Sequence, residues 1–345
     1  MLVKGDDILL PRAIKKRISG QYNSEKRKRN DAQLHIVNKA LEEASLTDVT
    51  LITYLKEIKR ILNKENLAIK LGLFTSGKIG RCLTGTNDTD VLHYELLQTL
   101  FGNSEQLNFR GAILPNVISD ADKGLLAREF KDILLPYLFA EYPNVDLGEV
   151  FFDEGPYELS NHVNLEKNDV VIDCGANMGL FSALASTKGC RVYAFEPMKY
   201  TINNYLSKTA SWNKNISICP YALSDKAETL TFKIDNSNIG ASRQTSSNYQ
   251  NDYDQQYQKV QAIALDDYVS QNNINRVDFI KADIEGAERT MLAGARNIIR
   301  EFSPKISICT YHLPDDPQVL REMLLNFQPN YTIVEKYKKM YAYIE

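Results

Sequence analysis

The sequence lacks any apolar run approaching the roughly 18–20 residues that span a bilayer, so no transmembrane segment is expected. It also lacks the pattern of a secretory leader: Met1-Leu2-Val3-Lys4-Gly5-Asp6-Asp7 puts two acids where a basic region and an apolar stretch would stand. Cysteine is sparse. The five present (Cys82, Cys174, Cys190, Cys219 and Cys309) are odd in number and widely spaced, with no C-x-x-C pair. That argues against a disulfide framework or a cysteine zinc site and fits a reducing cytoplasm. An excess of positive charge is missing as well. With a formal net charge of −3, the chain exerts no whole-molecule pull on nucleic acid or anionic lipid. The local basic cluster Lys26-Arg27-Lys28-Arg29, with Lys15-Lys16-Arg17 before it, reads as a solvated helix face or loop in preference to a phosphate or membrane contact.

What is present is the composition of a globular protein. The 345 residues are 43% hydrophobic and 25% charged, enough for one large core or two ordinary domains. Residues 1–105 read as a helical N-terminal region. There Thr47 caps a helix with Leu51, Leu55, Ile58 and Leu62 on one stripe, and Asn87-Asp88-Thr89-Asp90 opens another carrying Leu92, Leu96, Leu97 and Leu100. Residues 106–345 are expected to form the second domain. A helix opens near Ser119-Asp120 and turns Leu126, Phe130, Ile133 and Leu134 inward. From about residue 168 strand, turn and helix alternate: strands at Val170–Ile172, Val192–Phe195, Ile216–Cys219, Val277–Ala282 and Ile306–Cys309, with helices between several of them. Two alternating runs, Tyr331–Glu335 and Met340–Ile344, close the chain. This pattern predicts a doubly wound, mainly parallel Rossmann-like α/β sheet with a C-terminal antiparallel hairpin.

The sharpest chemical signal is Asp173-Cys174-Gly175-Ala176-Asn177-Met178-Gly179, between a strand and a helix. Such a turn brings backbone N–H groups and a helix N-terminus up to a ligand without an intervening Cβ. A dinucleotide fingerprint needs glycine at the first, third and sixth places. Counted from Gly175, Asn177 and Leu180 occupy the last two, so that fingerprint fails. An S-adenosyl-L-methionine loop fits instead: Asp173 faces the cofactor's amino-acid end, Gly175 and Gly179 shape the turn, and Asn177 supplies an amide. Glu196 closes the next strand and can accept hydrogen bonds from both ribose hydroxyls. Ala222 and Leu223, at the edge of the third strand, suit an adenine ring. All converge on the C-terminal edge of the sheet, where open α/β sheets bind ligands.

These residues resemble the FkbM family of methyltransferases. The likeness runs from about Glu154 to the C-terminus through Glu154-Gly155-Pro156-Tyr157-Glu158, Asp173 to Gly179, Phe195-Glu196-Pro197, Ala222-Leu223-Ser224-Asp225, Phe279 to Glu288, and Cys309-Thr310-Tyr311-His312. The resemblance implies a class I methyltransferase domain, adenosylmethionine as methyl donor and O-methylation of a sugar, glycoconjugate or natural-product hydroxyl. It also implies a cofactor-site role for Glu158.

Methyl transfer from a sulfonium is an in-line displacement, and an alcohol acceptor gains from a base within hydrogen-bond reach. The fourth strand delivers Lys281, Asp283 and Glu285 at period two, with Gly286 turning the chain; the fifth delivers His312. His312 is expected to be the general base, Asp283 to orient the substrate or the imidazole, and Lys281 to pair with these acids or bind an acidic substrate group. Asp283, Glu285 and Glu288 could instead cap the following helix. A divalent cation on Asp283, Glu285 and His312 is a further alternative, with no metal as the preferred reading. His35, His93 and His162 read as structural. Residues 235–258, polar and aperiodic, could form a lid in which Tyr249, Tyr253 and Tyr257 stack on a sugar and Arg243 binds an anion. Amine methylation and a non-catalytic nucleotide-binding module remain rival readings. The expected partner is a small-molecule or glycan acceptor, not nucleic acid, and the location cytoplasmic. Homodimerisation, substrate recognition and sheet cover are all open to the N-terminal region.

Overall fold

The computed structural model describes residues 12–43, 104–117, 122–130, 156–234, 243–244 and 257–345, with isolated helical positions between 52 and 66 and single residues at 97 and 133. The chain divides into two compact units, residues 1–92 with 142–150, and residues 93–141 with 151–345. In the first, one long helix, α1 (Arg12–Glu43), buries Asn30 and Val37, seven residues apart on one stripe. Arg27, Lys28 and Arg29 are exposed on it, which is the solvated face expected of the basic cluster. Leu55 and Leu62 are helical and buried, as their spacing predicts; Thr47, Leu51 and Ile58 lie outside the described residues. Among the described residues no helix is long and apolar enough to cross a membrane.

The second unit opens with a hairpin the sequence reading missed, β1 (Gln106–Phe109) and β2 (Ala112–Pro115). Its signal was the alternation Leu107, Phe109, Ala112, Leu114, all buried, around Arg110-Gly111. Both turn residues have positive φ (50° and 94°), the backbone a two-residue hairpin requires. Asn213 fastens the hairpin, its Oδ1 accepting from Ile113 N and its Nδ2 donating to Ile113 O. Helix α2 (Lys123–Glu129) follows with Leu126, Phe130 and Ile133 buried.

The centre is a seven-stranded sheet. Its strands are β3 (Val170–Cys174), β4 (Arg191–Phe195), β5 (Ile216–Cys219), β10 (Phe279–Ala282), β11 (Lys305–Cys309), β12 (Thr332–Lys336) and β13 (Lys339–Tyr343), ordered β12-β13-β11-β10-β3-β4-β5. The β3, β4, β5, β10 and β11 pairings are parallel, and β13 runs antiparallel to both β11 and β12. The doubly wound sheet and terminal hairpin are therefore present. Helix α3 (Leu180–Thr187) follows β3, and two helices, α4 (Lys199–Thr201) and α5 (Ser207–Trp212), flank a π-helical stretch at Ile202–Leu206. Every residue of β3 and β10 is buried, the mark of parallel strands covered on both faces. Val171, Ile172, Ile280, Ile306 and Ile308 are fully buried, each burial favouring the fold by roughly 1.5–3 kcal/mol before entropy is counted. Between β3 and β10 the order of strands reverses, which opens a crevice at their C-terminal ends.

A second, four-stranded sheet was not anticipated: β6 (Ala222–Ser224), β7 (Glu228–Lys233), β8 (Arg243–Gln244) and β9 (Tyr257–Ala264), ordered β6-β9-β7-β8. It takes up residues 243–244 and 257–258 of the segment read as a lid. Tyr249 and Tyr253 lie outside the described residues, and Tyr257 begins β9. Helix α6 (Leu265–Gln271) leads back to the large sheet. Between β10 and β11 run two helices that part at Ala295, α7 (Glu288–Gly294) and α8 (Arg296–Phe302). Helix α9 (Asp316–Phe327) covers β13 with Leu320 and Leu324 buried. Cys174, Cys190, Cys219 and Cys309 are all buried free thiols. Burial pushes the Cys190 and Cys219 thiols up to about 12, so they are inert.

Candidate active site

The glycine turn is built by the register of two strands. In the β3–β10 ladder Asp173 pairs with Lys281, and Asp283 N continues the pairing to Cys174 O at 3.1 Å. Lys281 Nζ lies 3.1 Å from Asp173 Oδ1 and donates to Gly175 O at 2.7 Å and Cys174 O at 3.3 Å. Ser182 Oγ donates to the other Asp173 oxygen at 2.6 Å. Burial disfavours the ammonium, but Asp173, with Asp283 and Glu129 around it, holds the Lys281 pKa above the ordinary lysine value. Lys281 was expected to act on substrate or pair with the catalytic acids. It is buried under the loop and anchors it through Asp173, opposite it in the ladder, and its charge also acts on Asp283. Asp173 was expected to face the cofactor; it is fully buried and engaged by Lys281 and Ser182.

Gly175 sits at φ 77°, and a Cβ there would lie 2.0 Å from Asp283 O. Only glycine lets the turn press this closely on the end of β10. Gly175 N and Ala176 N both donate to Phe195 O, tying the turn to β4. Glu196 follows. Its Oε2 accepts from Asn177 N at 3.1 Å and its Oε1 from Met198 N at 2.8 Å. Burial raises its pKa to about 7, against the lowering effect of those two N–H groups. Each oxygen keeps a further acceptor site, so two ribose hydroxyls match what burial leaves uncompensated. Asn177, at φ 50°, turns its amide away from Glu196 to donate to Glu129 Oε1 at 3.1 Å. Gly179, at φ 86°, starts α3, where a Cβ would meet Leu206 and Thr209.

One expected cofactor residue, Glu158, is placed differently. Glu158 accepts from Lys188 Nζ at 2.8 and 2.9 Å and from Leu165 N at 2.7 Å. Lys188 follows the C-terminal end of α3, the end remote from the glycine turn, so Glu158 belongs to the opposite edge of the sheet. Ala222 packs with Leu230, Val260 and Ala262 of the small sheet, while Leu223 enters the main core. Both remain just beyond the end of β5.

The groups expected to react, Asp283 and His312, come together at the ends of β10 and β11. The strand stops at Ala282, and Glu285 and Gly286 turn with φ 56° and 99°, a left-handed step costing roughly 1–2 kcal/mol at a non-glycine. That turn brings Glu288 back, its Oε1 accepting from Ile284 N at 3.0 Å and lying 2.9 Å from His312 Nδ1. The second is a close contact that does not align as a hydrogen bond. Asp283 and Glu285 each present an oxygen 3.7 Å from His312 Nε2, which makes no hydrogen bond. The imidazole is buried, not a surface strand-end group. Burial works against its charge, but Glu288, Asp283 and Glu285 raise its pKa above the ordinary imidazole value. Tyr157 OH donates to Asp283 Oδ2 at 2.7 Å, and Tyr311 OH lies 3.4 Å from Oδ1. Lys339 and Lys281 lie over the Tyr157 ring at 4.3 and 5.1 Å. Burial opposes ionisation of Asp283, yet Lys281, Lys339 and the Tyr157 hydroxyl hold its carboxyl below the usual range. Asp283 was expected to orient the substrate or the imidazole; the carboxylate nearest the imidazole is Glu288, which the sequence offered as a cap of the following helix. Asp283, Glu288 and His312 also bring one ligand atom each within 4.8 Å of one another, a set able to hold a cation. His162 stacks on Tyr343 and is structural.

The sheet order, with its reversed penultimate strand and a glycine turn at the C-terminal edge of β3, defines a class I methyltransferase fold. Residues 173–343 match the model of the Methyltransferase FkbM domain, and through that domain the chain belongs to the FkbM family. It is 24% identical over 159 residues to the hexuronic acid methyltransferase AglP of Haloferax volcanii, an alignment covering 46% of this chain and 62% of the relative. The match thus spans less than two thirds of that relative's length. The crystal structure of methyltransferase FkbM from Methylobacillus flagellatus KT is 19% identical with a TM-score of 0.43, covering 83% of this chain and 71% of that one. An rRNA methylase structure from Streptococcus thermophilus is 13% identical with a TM-score of 0.33, covering 52% of this chain and 90% of that one.

Proposed function

We propose that the protein transfers a methyl group from S-adenosyl-L-methionine to a hydroxyl of a sugar or glycoconjugate, with His312 as general base. The observation that carries this reading is the Glu288–His312 pair beside a glycine turn that presses on Asp283. Glu288 faces Nδ1, which leaves Nε2 to take the proton of an acceptor hydroxyl. The cofactor, held by Glu196 and the Gly175–Gly179 turn, supplies an electrophilic methyl group. Asp283 and Glu285, each 3.7 Å from Nε2, favour the imidazolium that proton transfer produces. A sugar acceptor is supported by the hexuronic acid named for the Haloferax relative. Amine methylation is less well supported, because a neutral amine needs no such buried base.

The test is turnover with labelled adenosylmethionine on a panel of free and lipid- or protein-linked sugars, hexuronic acids included. His312→Ala is expected to bind S-adenosylhomocysteine as the wild type does and to lose about 10²- to 10⁴-fold in kcat. Full turnover in that variant removes His312 from the chemistry. Failure of the wild type to bind the cofactor favours the non-catalytic module.

A further inference from the structure

Asp173 accepts from Ser182 on one carboxylate oxygen and is faced on the other by the Lys281 ammonium at 3.1 Å, and Lys281 donates to Gly175 O and Cys174 O. The cationic amino-acid end of the cofactor therefore needs another anionic partner near the turn. Asn177 marks where it lies. Its backbone N–H is held by Glu196, at the ribose side, and its side-chain Nδ2 donates to Glu129 Oε1 at 3.1 Å. Its other amide atom, Oδ1, is buried and makes no hydrogen bond. An orphaned buried carbonyl oxygen costs about 1–3 kcal/mol, and a donor arriving there recovers it. A carboxylate and an unsatisfied amide oxygen, side by side, suit a small cation with several N–H donors. Glu129 comes from α2, outside the residues that match the family domain.

We infer that Glu129 and Asn177 Oδ1 form the subsite for the α-ammonium group of S-adenosylmethionine, so that the segment before the family domain completes the cofactor site. The inference rests on the methyltransferase reading above. Asn177 bridges the two halves of the ligand: its main chain sits against the ribose acid and its side chain against the ammonium acid. Glu196 at one end and Glu129 at the other then fix the length of the cofactor across the turn.

Calorimetric titration with S-adenosylhomocysteine and with 5′-methylthioadenosine, which keeps the nucleoside but lacks the amino-acid end, tests it. Glu129→Gln is expected to weaken S-adenosylhomocysteine binding about tenfold to a hundredfold, the scale of a charge-assisted hydrogen bond, and to leave methylthioadenosine binding unchanged. Asn177→Gly keeps the positive φ while removing Oδ1, and shows the same selective loss. Unchanged affinity in Glu129→Gln, or an equal loss for both ligands, overturns the subsite. A wild type that binds methylthioadenosine as tightly as S-adenosylhomocysteine overturns it too. A wild type that binds neither ligand refutes the methyltransferase reading itself, and the subsite with it.

Discussion

As the proposed ribose acid, Glu196 should make cofactor binding a proton-linked event. Burial lifts its pKa from 4.5 to about 7 in the free protein, even with two backbone N–H groups donating to it. Hydroxyl donors from a ribose favour the charged form, so binding drives the proton off. A group with a pKa near 7 is about one-eleventh ionised at pH 6 and about ten-elevenths ionised at pH 8. Cofactor affinity should therefore rise roughly tenfold over that interval, about 1.4 kcal/mol. At pH 7 binding should release about half a proton. Calorimetry in buffers of different ionisation enthalpy reads that release directly, and Glu196→Gln should abolish it while weakening affinity. The same shift acts on stability. Because the folded state holds a proton the unfolded chain gives up, the free protein should lose stability as pH rises from about 4.5 through about 7, by at most about 3 kcal/mol. Affinity flat between pH 6 and 8, with no buffer dependence that Glu196→Gln removes, would refute the ribose assignment.

Other consequences are quicker to state. Glu288→Gln removes the largest influence raising the His312 pKa, so the rising limb of kcat/KM against pH should move to lower pH and the plateau fall about 10²-fold. An unmoved limb leaves Glu288 as a helix-start acid alone. Gly294→Ala forces a Cβ to within 2.1 Å of Ser224 O, where α7 crosses β6. It should cost about 1–3 kcal/mol in denaturant unfolding; wild-type stability would mean the small sheet is not packed there. Turnover should survive exhaustive chelation, since His312 serves as base; loss restored by Mg²⁺ or Mn²⁺ would reassign Asp283, Glu288 and His312 to a metal.

The large sheet was legible because its evidence is local. Short β-branched runs ending in Asp173-Cys174-Gly175, Phe195-Glu196 and Ala282-Asp283 announce strands and their ligand-facing ends within a few residues each. The small sheet was not, because β7 and β9 are half-exposed strands whose pairing links residues some 30 positions apart, such as Thr229 with Gln261. The β1–β2 hairpin was overlooked for a different reason: a non-glycine, Arg110, fills one of its positive-φ turn positions, so the usual two-residue turn signal is absent. Within the site, residue types were readable and partners were not. Glu288 and Glu158 carry the same chemistry in sequence, yet a left-handed turn at Glu285-Gly286 swings one onto His312, while Lys188 holds the other at the far edge.

Lys281 shows why such assignments need the register. Its period-two spacing with Asp283 and Glu285 looked like a row of reacting groups, but the strand ends before the acids, and the lysine remains inside the ladder opposite Asp173. A buried ion pair of this kind contributes little net stability, since desolvation offsets much of the attraction. Its value is positional. Lys281 also donates to the carbonyls of Cys174 and Gly175, so an apolar replacement of the pair would leave two carbonyls of the turn without that donor. The turn that results is held from three sides: by Lys281 beneath, by Phe195 O on β4, and by the Asp283 carbonyl against Gly175. The glycine turn and Asp283 thus share one junction, and a change at either should move the other. An acid and a lysine at paired positions of two adjacent parallel strands, just before a glycine turn, are better read as the anchor of that turn than as catalysts.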